Sequence, residues 1–162
     1  MLYKGAGSGN EIKEKMEERV IIKEVEPQAY KAMYALEKYL KDTRLAFSLK
    51  ELIKIRASQI NGCAYCIQIH TTDARKAGES EQRIYALSAW WESPLFTEKE
   101  KTALAATDQI TKIADSGLSK ESYARLKDYF SENEIAEIII QIVAINAWNR
   151  IAVATHLKHP VQ

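Results

Sequence analysis

The chain has 162 residues, 46% apolar and 28% charged, with 23 basic against 22 acidic side chains and a net charge of +1. That balance describes one globular domain able to bury a sizeable core. It offers no basic surplus for a nucleic-acid partner, no uninterrupted apolar run of about 18 residues for a transmembrane helix and no signal-peptide core, so a cytoplasmic setting, where ordinary thiols stay reduced, is expected.

Residues 1–19 read as a flexible arm or as residues foreign to the domain, because Gly5-Ala6-Gly7-Ser8-Gly9 is followed by a mostly charged stretch. The domain is expected over 20–162. Pro27 suits the first turn of a helix whose stripe runs through Tyr30, Met33, Tyr34, Leu36, Tyr39 and Leu40. A second stripe covers 49–60 and breaks at Asn61-Gly62. A third helix is expected from about Cys63 to Lys76, with Gly78 as its end. Ser80 caps a fourth that reaches Trp90 and Trp91, and Ser93-Pro94 stops it. Thr97 with Glu100 forms a capping box for a fifth helix reaching about Ala114. Ser119 and Ser131 look like two further caps, and the apolar run Ile135 to Trp148 reads as buried. No strand-like alternation appears, so the expected fold class is all-α, a single bundle of about seven to eight helices.

Chemistry concentrates in Cys63-Ala64-Tyr65-Cys66 and His70. On a helical wheel at about 100° per residue, Cys63, Cys66 and His70 share a face, and Tyr65 points about 100° away from Cys66. A cysteine at a helix start gains thiolate character from free backbone N–H groups and the helix dipole. His70, at i+4 from Cys66, is placed to accept its thiol proton, and the paired cysteine can close a disulfide that protects an oxidised sulfur. Glu51, one helix earlier, would set the tautomer of His70 if an antiparallel turn brings them together. The dipole favours Cys63 as attacking sulfur; proximity to His70 favours Cys66, which we follow.

Other readings compete. Two thiolates and His70, with His156 or His159 as a fourth ligand, would make a structural zinc site. The cysteines could also be inert core residues, and Glu51 a surface charge. Trp90, Trp91 and Trp148 suit core or interface positions better than a cofactor box. Ser58 and Asn61 are either donors to the site or helix caps. No nucleotide or flavin motif is visible, so no cofactor is expected, and electrons must come from a partner protein or a small thiol.

The run from Glu51 to His70, with its ending Cys63-Ala64-Tyr65-Cys66-Ile67-Gln68-Ile69-His70, resembles the signature of the AhpD-like alkylhydroperoxidases of the carboxymuconolactone decarboxylase superfamily. Ile145-Asn146-Ala147-Trp148-Asn149-Arg150 is similar to a second segment of one AhpD-like subgroup. The resemblance implies an AhpD-like helical bundle assembling as a homo-oligomer, trimer or hexamer. It also implies a thiol-dependent peroxidase acting on a hydroperoxide: Cys66 becomes the sulfenic acid, Cys63 is its disulfide partner, and Glu51 with His70 forms the proton relay. An external thiol or dithiol protein would be the reductant. One departure stands out, because Tyr65 occupies a position where the best-studied branch has a histidine. A phenol with a pKa near ~10 is a poor relay at neutral pH. That leaves a disulfide reductase or redox sensor without real peroxidase activity as the alternative, beside the zinc-stabilised module.

Overall fold

In the computed structural model, which describes residues 17–158, nine α-helices and no strand account for the regular structure of the described residues apart from one short 3₁₀ turn. They are α1 (Ile22–Val25), α2 (Pro27–Lys41), α3 (Phe47–Asn61), α4 (Ala64–Lys76), α5 (Glu81–Ala86), α6 (Glu98–Thr111), α7 (Ile113–Ser116), α8 (Lys120–Tyr129) and α9 (Glu132–Thr155). The expected arm falls mostly on residues 1–16, outside the described residues; Arg19 donates from its backbone N–H to the Thr155 carbonyl at 2.9 Å.

Local chemistry explains most boundaries. Pro27 opens α2, and the buried Lys50 ammonium donates to the carbonyls of Leu40 and Lys41, each at 3.0 Å, supplying donors that the helix end lacks. Thr97 with Glu100 and Ser131 with Glu134 form reciprocal capping boxes, while Ser80 and Ser119 cap α5 and α8 through their hydroxyls.

The helix expected to run from Ser80 to Trp91 is shorter. It stops at Ala86, and a 3₁₀ turn covers Leu87–Ala89. Tertiary contacts outweigh a further helical turn there, because the Ser88 carbonyl accepts from the Arg56 guanidinium at 3.3 Å and the Trp90 indole N–H is drawn to Asp108 at 3.2 Å. Likewise the helix expected to reach Ala114 breaks at Lys112, and α7 continues as a single turn.

Helix α3 is the centre of the bundle, packed against α4, α6 and α9. One cluster of buried apolar side chains, including Leu49, Ile53, Leu126 and Ile138, joins α3, α6, α8 and α9. A second, including Leu52, Ile55, Leu87 and Leu104, joins α3, α6 and the 3₁₀ turn. Burial of each such side chain contributes about 1.5–3 kcal/mol. The 24 residues of α9 are long and apolar enough to cross a membrane by length and composition. Here α9 serves as a core helix, and it buries Glu137, Gln141, Asn146 and Asn149 among its apolar residues. Of these, Asn146 and Asn149 sit where α9 meets Asn61 at the end of α3, while Glu137 pairs with Arg44.

Candidate active site

The third buried cluster holds both cysteines with Ala57, Ile145 and Ala152, and Tyr65, Trp148 and Leu157 pack against it. The turn that creates it is Asn61-Gly62. Gly62 adopts φ 64° and ψ 33°, the left-handed conformation that ends α3 with little steric cost for glycine. Cys63 follows at φ −89° and ψ 91°, outside the helix. This corrects the expectation of three residues on one helical face. Only Cys66 and His70 lie within α4; Cys63 caps it, its sulfur accepting the Cys66 backbone N–H at 3.4 Å. A thiol thus fills the position where serine or aspartate usually sits.

That placement sets the electrostatics. The Cys66 thiol hydrogen-bonds Cys63, and against the penalty of burial this bond, the backbone N–H of Cys66 and the Asn149 side chain hold the Cys63 thiol down at about 7. The same hydrogen bond, with burial and the charge of a Cys63 thiolate, pushes the Cys66 thiol strongly upward. The first proton lost belongs to the pair. Its charge rests most favourably on Cys63, as the helix-start reading anticipates, yet Cys66 is the sulfur that lines the adjoining cavity, with His70. Charge and access therefore fall on different sulfurs, joined by a hydrogen bond through which a proton can pass.

His70 is anchored from α3. Glu51 is only 2% exposed, and its Oε2 lies 3.0 Å from His70 Nδ1. The other carboxylate oxygen accepts from the Lys54 ammonium at 2.8 Å. Burial alone would raise the Glu51 pKa; the hydrogen bond to His70 and the Lys54 charge outweigh it and hold the carboxyl below its usual range. A charged carboxylate at Nδ1 fixes the proton there and leaves Nε2 with the lone pair.

Beneath the sulfurs lies an amide network that sequence reading did not assemble. Asn61 Nδ2 donates to Oδ1 of Asn149 at 2.8 Å and of Asn146 at 3.0 Å. Asn149 Nδ2 then donates to the Ser58 hydroxyl at 3.0 Å, so its N–H end faces the dithiol side. Ser58 and Asn61 both hydrogen-bond Asn149, whose side chain also bonds Cys63. The available signal was the presence of Asn146 and Asn149 in an otherwise apolar helix, since a buried amide needs partners.

The cavity over Cys66 measures about 230 Å³. Tyr30, Tyr34, Tyr65 and Trp148 line it together with Glu37, so Tyr65 faces the site instead of pointing away from it. Burial raises the Tyr65 phenol pKa, which keeps it a neutral hydroxyl. Trp148 belongs to this wall, Trp90 is half-buried beside Asp108, and Trp91 is 54% exposed. Among the described residues no group of three or more His, Cys, Asp and Glu side chains is arranged to hold a metal ion. His156 instead ends α9 in a left-handed conformation, and His159 lies outside the described residues.

Residues 27–109 match the carboxymuconolactone decarboxylase family, a span that includes Glu51, both cysteines and His70. The chain is 44% identical over 139 residues to the uncharacterised protein YdfG of Bacillus subtilis, covering 86% of this chain and 95% of that one. A solved structure from Agrobacterium tumefaciens, a protein of unknown function assigned to AhpD antioxidant defence, is 43% identical with a TM-score of 0.88, covering 90% of this chain and all of that one. The debrominase Bmp8 is similar in fold alone, at 24% identity and a TM-score of 0.75 over 83% of this chain and 73% of its own. The fold therefore carries more than one reaction. With the all-helical fold and the dithiol-bearing segment both matched, the chain belongs to the carboxymuconolactone decarboxylase family and to its AhpD-like members.

Proposed function

We propose that the protein is a thiol-dependent peroxidase that uses Cys66 and Cys63 as a redox dithiol and Glu51 with His70 as its proton relay. The observation that carries this reading is the 3.0 Å contact between Glu51 and His70 beside a cavity that His70 shares with Cys66. The Cys66 thiolate attacks one oxygen of a hydroperoxide. The O–O bond breaks, the alcohol leaves with a proton from the His70 imidazolium, and Cys66 becomes a sulfenic acid. Cys63, which received the Cys66 proton across their hydrogen bond, then attacks that sulfur; its own proton joins the departing hydroxide, water leaves and the disulfide forms. An external thiol or dithiol returns two electrons. A reducing compartment such as the cytosol suits this cycle, and the family resemblance supports action as a homo-oligomer.

Reduction of disulfides is the second reading, favoured by Tyr65, whose raised phenol pKa leaves it unable to relay a proton at neutral pH. Both readings use the same dithiol. One experiment tests them: add one equivalent of hydroperoxide or of a small disulfide to the reduced protein, titrate thiols and locate the bridge by mass spectrometry. A Cys63–Cys66 bridge formed fast with peroxide and absent in Cys66→Ser supports the peroxidase. A bridge formed only with the disulfide selects the reductase, and no bridge with either overturns both.

A further inference from the structure

The cavity over Cys66 is lined by aromatic rings and a carboxyl side chain, Glu37. The rings of Tyr30 and Trp148 lie 5.4 Å apart at 74°, those of Tyr34 and Trp148 5.6 Å apart at 51°, and those of Tyr30 and Tyr34 5.9 Å apart at 62°. The three rings pack steeply inclined against one another, and together with Tyr65 they line the cavity. Glu37 closes the wall, its Oε1 accepting the Trp148 indole N–H at 2.9 Å. That bond ties the carboxylate to the indole and draws electron density toward the ring, which strengthens its negative face. Among the described residues no lysine or arginine lines the cavity.

An apolar substrate would need the rings but not the carboxylate, and an anionic one would be repelled by Glu37 and by a dithiol thiolate. Aromatic rings beside a carboxylate instead suit an organic cation. We propose that this cavity recognises an alkylammonium or quaternary ammonium group on the substrate whose S–S or O–O bond is presented to Cys66. The inference rests on Cys66 being the attacking sulfur, as in the function proposed above.

For a bis(aminoalkyl) disulfide the step balances. The Cys66 thiolate attacks one sulfur, the S–S bond breaks, and the departing aminothiolate takes a proton from His70. Cys63 then displaces the second aminothiol from the mixed disulfide, so the protein dithiol loses the two electrons that the substrate gains.

The test is single-turnover oxidation of the reduced protein by cystamine and by its neutral counterpart, bis(2-hydroxyethyl) disulfide. After correction for their rates with a free thiol, cystamine should react roughly tenfold faster, and Glu37→Gln should bring that ratio close to one. The wild-type protein gives an independent check. Choline should slow oxidation by competition, whereas its uncharged isostere 3,3-dimethylbutan-1-ol should do so at least about fivefold less effectively. A cationic hydroperoxide paired with a neutral one distinguishes the O–O source of the same group from the S–S source. Equal corrected rates for charged and neutral members of both pairs, or equal competition by choline and its isostere, overturn the proposal while the dithiol chemistry stands. Failure of every oxidant to react would instead sink the proposed function.

Discussion

Helix α3 carries two buried charge clusters of opposite design. At one, Asp108 receives the Arg56 guanidinium in a fork, Nε to Oδ1 at 2.6 Å and NH2 to Oδ2 at 2.8 Å, and the Trp90 indole N–H at 3.2 Å completes it. None of those donors gives up its proton near neutral pH. At the other, Glu51 divides its oxygens between Lys54 and His70. His70 is an imidazole, able to accept or donate a proton, and it borders a cavity with a thiol in it. Both carboxylates are satisfied, but only the second has a partner whose charge can change where a substrate can reach. A closed fork holds elements together; a carboxylate on an open imidazole supports proton transfer.

The largest expected effect breaks the Glu51 cluster. Glu51→Gln retains the shape and removes the charge that fixes the His70 tautomer and stabilises its imidazolium. The rate of dithiol oxidation should fall on the order of 100-fold at neutral pH, and because Lys54 also loses its counter-charge the melting temperature should fall as well. Stopped-flow kinetics beside thermal unfolding measures both, and an unchanged rate would demote Glu51 to a helix-packing residue.

Asp108→Asn should affect stability alone. It leaves the Arg56 guanidinium without its counter-charge, and that side chain is 10% exposed. Stability should drop by about 3 kcal/mol in denaturant unfolding, while the oxidation rate of the folded protein stays within about twofold of wild type, the expectation for a site without shared partners. A rate loss as large as that of Glu51→Gln would erase the distinction between the two clusters.

How each cluster could be read from sequence follows from its spacing. Cys66 and His70 are four residues apart on one helix, and Glu51 precedes them across one tight turn, so periodicity and the Asn61-Gly62 break were enough to suggest their meeting. Helix starts were legible for the same local reason, since Thr97, Ser119 and Ser131 carry their partners within three residues. The Arg56–Asp108 fork joins residues 52 apart, and the Trp148–Glu37 bond residues 111 apart. No local pattern marks such pairs. Cys63 shows a subtler limit. Periodicity puts it in register with Cys66, but whether it begins the helix or caps it depends on the conformation at Gly62, a difference of one residue at a boundary.

That one-residue difference has a measurable consequence, the smallest of the expected effects. As a cap, Cys63 accepts a backbone N–H and the Cys66 thiol together, and the thiol hydrogen bond is the leading cause of its depressed pKa of about 7. A depressed thiol pKa means that the thiolate appears as pH rises through about 7, earlier than for an ordinary cysteine near ~8.5. Cys66→Ala deletes the thiol donor but keeps the backbone N–H and Asn149. The Cys63 value should therefore move back toward the ordinary range, and at pH 7 its thiolate fraction should fall from roughly half to a few per cent. Ultraviolet thiolate absorbance against pH reads this directly, without requiring a reagent to reach a buried sulfur. If the titration stays near 7 in the variant, the helix terminus and Asn149 alone stabilise the charge. Cys63 would then be an autonomous thiolate, and its contrast with Cys66 would be one of electrostatic position instead of a shared proton.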